Sequence, residues 1–321
     1  MRPNAAAPIL ALALMLISSM APAQSYPSKP VRFIVGYAAG GVADTSARIM
    51  AQRMSVKLGE TVIVENRVGA GGRIGAEMIA KAPADGYQLL YTTNGTHSFA
   101  PVSEKVLPYD PIRDFTSIAL VGTYGFLMVV HPSVPAKTVA EFIDYAKKNS
   151  GKLNYGSSGA GSGVHFAGEL FKMMAGVNMT HVPYKGAAPA LQDTIAGVCQ
   201  LTFDAGAGQA VEGGKVRLLG TTGSQRDPRF PNSPTLAEAG VPGYDLISWV
   251  GIFAPPGLAP GIATQLNAAA NEALMDPGVR QRLGLWGVIP TPGTPAALEQ
   301  LVRTEISRLR RIATDGKLQF D

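Results

Sequence analysis

Two glycine-rich corners constrain this chain more than any other feature. One is Gly36-Tyr37-Ala38-Ala39-Gly40-Gly41, and the other is Gly156-Ser157-Ser158-Gly159-Ala160-Gly161-Ser162-Gly163. Each follows a short strand-like run and opens a helical one. Such a corner aims unpaired backbone N–H groups at one point, on the positive end of a helix dipole. It makes an anion site from backbone and hydroxyls and needs no cofactor. Glycine also serves plain strand–helix corners, but two corners carrying hydroxyls or an aromatic ring favour a functional reading. A hydrogen bond to a charged group contributes about 1.5–3 kcal/mol. A handful of N–H donors on one carboxylate therefore supplies most of the ~8 kcal/mol of micromolar binding, before ordering costs. Two such corners suggest two lobes that grip one small anion from opposite sides.

The rest of the chain alternates strands and helices. Val31 to Val35 reads as a buried strand, and the helix after its corner carries Met50, Met54 and Leu58 on one face. Asp44 falls in that helix's first turn, where a carboxylate suits the dipole. Thr61 to Glu65 and Tyr87 to Thr92 are further strands, with a helix between them from about Ile74 to Lys81. The alternation implies a mainly parallel sheet. Ser117 to Val130 and Leu246 to Phe253 are the two stretches that can carry the chain between lobes. Thr138 with Glu141 forms a capping box, and Thr294 with Pro295 starts the last long helix. The segment from Asp227 to Gly243 reads as a surface loop around a short helix. The C-terminal helices bring few strands of their own and are expected to cover the first sheet.

Composition removes several function classes. Arg2, the apolar run Ile9 to Ile17 and Ala21-Pro22-Ala23 form an export leader, cleaved near Ala23. The net charge of +5 comes from scattered basic residues, and nothing resembles a nucleic-acid module. The four histidines, His97, His131, His165 and His181, stand far apart, and the single cysteine, Cys199, adds no metal pair. Cys199 reads as a small buried hydrophobe. Gly69-Ala70-Gly71-Gly72 misplaces the third glycine of a dinucleotide fingerprint, and no phosphate-binding P-loop is present. Ser158 sits in a near-match to a nucleophile elbow, with Ala160 where glycine belongs. A secreted serine hydrolase using Ser158 is thus the alternative reading. His165 reads equally as ligand contact or structural group, Asp204 as cleft residue or turn cap, and Trp249 as cleft wall or core.

Several stretches together resemble one family. They include Tyr26-Pro27-Ser28-Lys29-Pro30-Val31, Glu65-Asn66-Arg67, Asp85-Gly86-Tyr87, Leu107-Pro108-Tyr109-Asp110 and His181-Val182-Pro183-Tyr184-Lys185-Gly186. Pro234-Thr235-Leu236-Ala237-Glu238-Ala239-Gly240 and both glycine corners complete the set. In these the chain is similar to the substrate-binding proteins of tripartite tricarboxylate transporters of the Bug type, which are periplasmic receptors. The resemblance covers essentially the whole mature chain. Departures from the family pattern fall at Tyr37-Ala38-Ala39, at Arg73, and in the small-residue run Ala205 to Gly208, which takes bulk from the Asp204 side of the cleft.

The resemblance implies an α/β fold of two lobes closing like a flytrap, each a mixed sheet flanked by helices, joined by two crossover connections. It implies a leader at 1–23, a discontinuous first lobe at 24–124 and 247–321, and a second lobe at 125–246. The ligand-binding set carried over is Tyr37, Ala39, Gly40, Gly41, Asp44 and Asn94 on one side. On the other it is Ser157, Ser158, Gly159, Ser162, His165 and Tyr184, with Asp204 meeting the far end of the ligand. The expected function is capture of a small carboxylate, mono- or dicarboxylic and open to an aromatic group, for uptake or sensing. The expected partners are membrane transporter components or a sensor. No catalysis, cofactor, metal or nucleic acid is expected, and the receptor is expected to act as a periplasmic monomer.

Overall fold

The computed structural model describes residues 26–316, so the expected leader at 1–23 lies outside the described residues. The first elements are β1 (Val31–Val35), α1 (Val42–Leu58), β2 (Val62–Asn66), α2 (Arg73–Ala80), β3 (Gln88–Thr93), α3 (Ala100–Ser103) and β4 (Thr116–Gly125). Next come β5 (Leu127–Val130), α4 (Val139–Lys148), β6 (Asn154–Ser157), α5 (Gly163–Ala175), β7 (Thr180–Pro183), α6 (Ala187–Ile195), β8 (Leu201–Phe203), α7 (Gly208–Glu212) and β9 (Arg217–Thr221). The chain closes with β10 (Ile247–Ala254), α8 (Pro260–Met275), α9 (Pro277–Gly284), β11 (Ile289–Pro290) and α10 (Pro295–Asp315).

Two sheets organise these elements. The first has the order β11-β4-β10-β3-β1-β2 and the second β7-β6-β8-β5-β9. Both are mixed, which corrects the mainly parallel sheet expected from the alternation alone. β1 runs parallel to β2 and β3, but β10 is antiparallel to β3 and β4. The reason is topological: the chain leaves the first sheet along β4 and re-enters it beside β4 along β10. In the second sheet β5 likewise runs against β8 and β9. The two passages are stitched where they cross. The Phe126 N–H donates to Thr222 Oγ1 (2.8 Å), and the Thr222 N–H returns to the Phe126 carbonyl (3.0 Å).

The first sheet is buried on both faces. Val31, Phe33 and Val35 meet Met50 and Met54 of α1 and Leu266 and Ala270 of α8. Ile34, pointing the other way, shares a cluster with Ala76 and Ile79 of α2 and with Leu298 and Val302 of α10. The C-terminal helices thus return to the first sheet, as their lack of strands suggested. Trp249 is core on that second face, its indole N–H donating to Glu305 Oε2 (2.6 Å). In the second sheet, Tyr155 and Phe203 pack on Phe166 and Phe171 of α5. Cys199 is buried, as expected.

Local signals read correctly at most helix starts. Thr138 and Glu141 form the reciprocal capping box, and Thr294 accepts from the Ala297 N–H (3.2 Å). The short helix expected between Asp227 and Gly243 is absent. Thr235 and Glu238 exchange the right cap bonds, but the chain makes only a turn before Gly240 enters a left-handed conformation (φ 112°). α9 was not among the expected helices; the Asp276 carboxylate caps it through the Val279 N–H (3.0 Å).

Gly168 shows where packing outweighs propensity. A Cβ there would collide with the Tyr155 ring, whose hydroxyl is tied to Glu169 (2.5 Å). Alanine gains at most about 1 kcal/mol of helix propensity, whereas overpacking costs about 1–3 kcal/mol. Gly168→Ala is expected to lower unfolding stability by about 1 kcal/mol net in urea titration. A stabilised variant would show that the ring steps aside freely.

Candidate ligand site

Between the two sheets lies a cavity of ≈ 40 Å³. Three helix N-termini open onto it. Gly41, Val42 and Ala43 begin α1, Gly163 and Val164 begin α5, and Ala187 begins α6. The N-cap positions of α1 and α6 are Gly41 and Gly186, and neither helix has a side-chain cap. Their first-turn N–H groups therefore lack the usual intramolecular acceptor. The remaining wall is Tyr37, Thr93, Tyr124, Phe126, Ser158, Asp204, Ala205 and Ser248. Among the described residues no lysine, arginine or histidine lines the cavity, and the helix ends supply the positive partial charge there.

The first corner is held by Asp44 rather than offering Asp44 to a ligand. The carboxylate is nearly fully buried. It accepts from the Gly40 N–H (3.0 Å), from Arg48 Nη2 (2.9 Å) and from Asn66 Nδ2 (2.9 Å). Asn66 also donates to the Tyr37 carbonyl (2.9 Å), so both ends of the corner hang on one carboxylate. Burial by itself would raise the Asp44 pKa, but the bonds from Arg48, Gly40 and Asn66 outweigh it and hold the group below its ordinary value. Asp44, expected as a ligand contact, thus braces the corner and does not line the cavity. Tyr37 and Gly41 do line the cavity, Gly40 lies just behind it, and Ala39 is exposed.

The second corner spends most of its polar groups internally. Ser157 Oγ lies 2.6 Å from His181 Nε2 and accepts from the Gly159 N–H (3.1 Å). Ser162 caps α5 through the His165 N–H (3.2 Å), and His165 Nδ1 accepts from the Gly161 N–H (3.1 Å). The His165 ring stacks on His181 with centroids 4.0 Å apart. Burial, with the Lys172 ammonium, pushes His165 down to about 4, so a neutral ring serves as acceptor. Ser157, Gly159, Ser162 and His165 thus shape the corner and do not line the cavity. Ser158 is the exception. It lines the cavity, and its hydroxyl has no hydrogen-bond partner among the described residues.

That arrangement weakens the hydrolase reading on geometry. The Ser–His pair is Ser157–His181, inside the turn and with Ser157 fully buried, while Ser158 has no base. Two other expected contacts, Tyr184 and Asn94, have intramolecular partners and do not line the cavity. The Tyr184 hydroxyl donates to Asp193 (2.6 Å), within the second lobe. The Asn94 amide donates to Glu305 (3.0 Å) and its carbonyl accepts from Ser248 (2.5 Å). Asn94 therefore supports the wall residue Ser248 from behind.

Asp204 fulfils both readings left open for it. One oxygen accepts from the Gly206 N–H (2.8 Å) as a turn cap, and the residue also lines the cavity. Its burial raises the pKa, offset only in part by the Gly206 N–H and the Arg229 charge.

The lobes touch at residues the sequence did not mark as lobe contacts. The Ala38 N–H donates to the Lys185 carbonyl (2.9 Å) across the cleft. Arg73 Nη1 donates to the Ala160 carbonyl (3.0 Å) and pairs with Glu104 (2.7 Å). Gly71, with φ at 60°, lies against the same Ala160 carbonyl, which any Cβ there would strike. The run Gly69 to Gly72, which fails as a nucleotide motif, is a lobe-to-lobe contact. Thr93, Tyr124 and Ser248 were also missed. They sit at strand ends with no local motif, and only sheet order brings them to the cleft.

Fold and cleft together define a two-lobed solute receptor of the periplasmic binding type. Residues 46–318 match the family described as tripartite tricarboxylate transporter family receptor, and the chain belongs to that family. A structure from R. palustris, Rpa4515 with adipate, is 36% identical, with a TM-score of 0.89 over 92% of this chain and 99% of that one. MatC from Rhodopseudomonas palustris, with bound malate, is 36% identical, with a TM-score of 0.87 over 89% of this chain and 99% of that one. The periplasmic binding protein BugD is 32% identical, with a TM-score of 0.88 over 92% of this chain and 99% of that one.

Asp44 makes a pH prediction. A carboxylate held below its unfolded pKa stabilises the fold above that pKa, about 3.9, and loses the contribution as pH falls through the lower folded value. Asp44→Asn is expected to melt lower than the parent at neutral pH, with the gap closing on acidification below about pH 4. A gap that stays constant down to the acid limit would show that the charge does not hold the corner.

Proposed function

We propose that the protein is a periplasmic receptor that captures a small carboxylic acid between its lobes and presents the closed form to a membrane transporter of the tripartite type. The observation that carries this reading is the convergence of α1, α5 and α6 N-termini on one cavity that no cationic side chain lines. A carboxylate there receives backbone N–H groups and the Ser158 hydroxyl. The adipate and malate held by the two relatives support the same ligand class. Closure follows from the ligand completing bonds to both lobes at once. The site requires no catalysis, and the receptor acts as a monomer.

Asp204 sets what the ligand carries next to its head. As an ionised group it accepts from a hydroxyl or ammonium and repels a second carboxylate placed beside it. Because its pKa is raised, it takes a proton at a higher pH than an ordinary aspartate and then donates to such a carboxylate. Short dicarboxylates are therefore expected to bind more tightly as pH falls through the raised Asp204 pKa. Asp204→Asn is expected to remove that dependence, read by calorimetry across the acid range.

A thermal-shift panel of mono-, di- and tricarboxylic acids tests the main reading. Acid at a hundredfold excess over Kd stabilises by about 2.7 kcal/mol, and Ser158→Ala is expected to reduce the shift. Turnover of activated esters should stay at background in both proteins. A folded protein, refolded from denaturant and silent to every acid, would falsify the receptor assignment.

A further inference from the structure

Ser248 lines the cavity with its proton already committed. Its hydroxyl donates to Asn94 Oδ1 (2.5 Å). The direction of that bond is set from behind. The NH2 side of the Asn94 amide lies against two acceptors, Glu305 Oε1 (3.0 Å) and the Ile247 carbonyl (3.4 Å). An amide has one donor end and one acceptor end, so its oxygen is left for Ser248. The other Glu305 oxygen takes the Trp249 indole N–H (2.6 Å), a group that only donates. A carboxylate only accepts. Polarity therefore runs one way, from the wall to the last helix. Ser248 gives its proton to Asn94, Asn94 gives one to Glu305, and Ser248 keeps only lone pairs for the cavity.

The cavity is small enough for this to matter. At ~10–15 Å³ for each water-sized group, ≈ 40 Å³ holds little more than a carboxylate and the carbon beside it. The Ser248 oxygen thus meets the substituent on that carbon. A hydroxyl there donates to Ser248. A carbonyl sets one acceptor against another and leaves both without a donor.

We propose that Glu305, which does not line the cavity, is a positioning residue for ligand choice: through Asn94 it fixes Ser248 as an acceptor, so the receptor prefers an α-hydroxy acid to the α-oxo acid of the same skeleton. This inference rests on the carboxylate reading of the cavity. The isosteric amide reverses the chain. In Glu305→Gln the indole N–H keeps the side-chain oxygen, so the new NH2 points at Asn94. Asn94 then turns its oxygen to that NH2 and its own NH2 to Ser248, at the loss of the long Ile247 bond. The Ser248 proton is released to the cavity, directly or through the hydroxyl of Tyr124, its cross-strand neighbour on the same wall.

Calorimetry at neutral pH with lactate against pyruvate, and α-hydroxyglutarate against α-oxoglutarate, tests this. The parent is expected to bind each hydroxy acid about fivefold more tightly than its oxo partner, the worth of one net hydrogen bond. Glu305→Gln should bind the oxo acids about fivefold more tightly than the parent does, a gain that loosened packing of α10 does not produce. Asn94→Ala, which deletes the acceptor of the Ser248 proton and keeps Glu305, should give the same gain if Glu305→Gln fails to fold. Ser248→Ala should remove the discrimination and, in the double variant, the effect of Glu305→Gln. Equal affinity for hydroxy and oxo acids in the parent, an unchanged ratio in the folded variants, or an oxo gain that survives Ser248→Ala overturns the role of Glu305 and leaves the receptor standing. Binding of other acids but of none of these four does the same. Silence of the parent toward every acid overturns both readings.

Discussion

The site depends on leaving helix N-termini without side-chain caps where the lobes meet. A helix start normally satisfies its first N–H groups with a serine, threonine, asparagine or aspartate. α4, α9 and α10 follow that rule through Thr138, Asp276 and Thr294. At the cleft, α1 and α6 begin at glycines instead. The stability forgone there is available to an anion, and the fold pays for it elsewhere through two well-packed sheets. An anion held by N–H groups needs no lysine or arginine. Among the described residues the cavity lining accordingly holds no cationic side chain.

The polar residues around the cleft have distinct duties. Asp44, Asn66 and Arg48 fix the first corner, while Ser157, Ser162, His165 and His181 fix the second. Apart from the exposed Arg48 these residues are buried or half-buried, and they bond to corner backbone groups and to one another. That rigidity lets the donors of the two lobes meet at one point without reorganising when a ligand arrives. Ser158 and Asp204 are the polar side chains of the second lobe that line the cavity. A direct contact and a residue that braces a contact have the same polar character in sequence, and the hydrogen-bond partner alone separates them.

Behind this wall runs a chain of bonds from the cavity to the C-terminal helix. Ser248 donates to Asn94, Asn94 donates to Glu305, and Trp249 donates to the other Glu305 oxygen. Glu305 belongs to α10, and Ser248 and Trp249 begin β10, the strand on which the chain returns from the second lobe. The burial of Glu305 raises its pKa, against the bonds that stabilise its charge. The last helix is thus fastened to the crossover strand by a buried carboxylate.

The sequence by itself determined the two glycine corners, the strand and helix succession, the caps at Thr138, Ser162 and Thr294, and the anion-binding character of the cleft. These are encoded over a few neighbouring residues, by φ preferences, periodicity and capping chemistry, so they are legible locally. It did not determine which corner residues face the ligand. Nor did it show that Asp44, Asn94 and Tyr184 are bonded to Arg48, Glu305 and Asp193. Nor did it reveal that Gly71 and Arg73 meet Ala160, or that Thr93, Tyr124 and Ser248 complete the wall. Those facts join residues far apart in the chain. Only the order of strands in the two sheets, and the angle at which the lobes close, brings such residues within hydrogen-bonding distance.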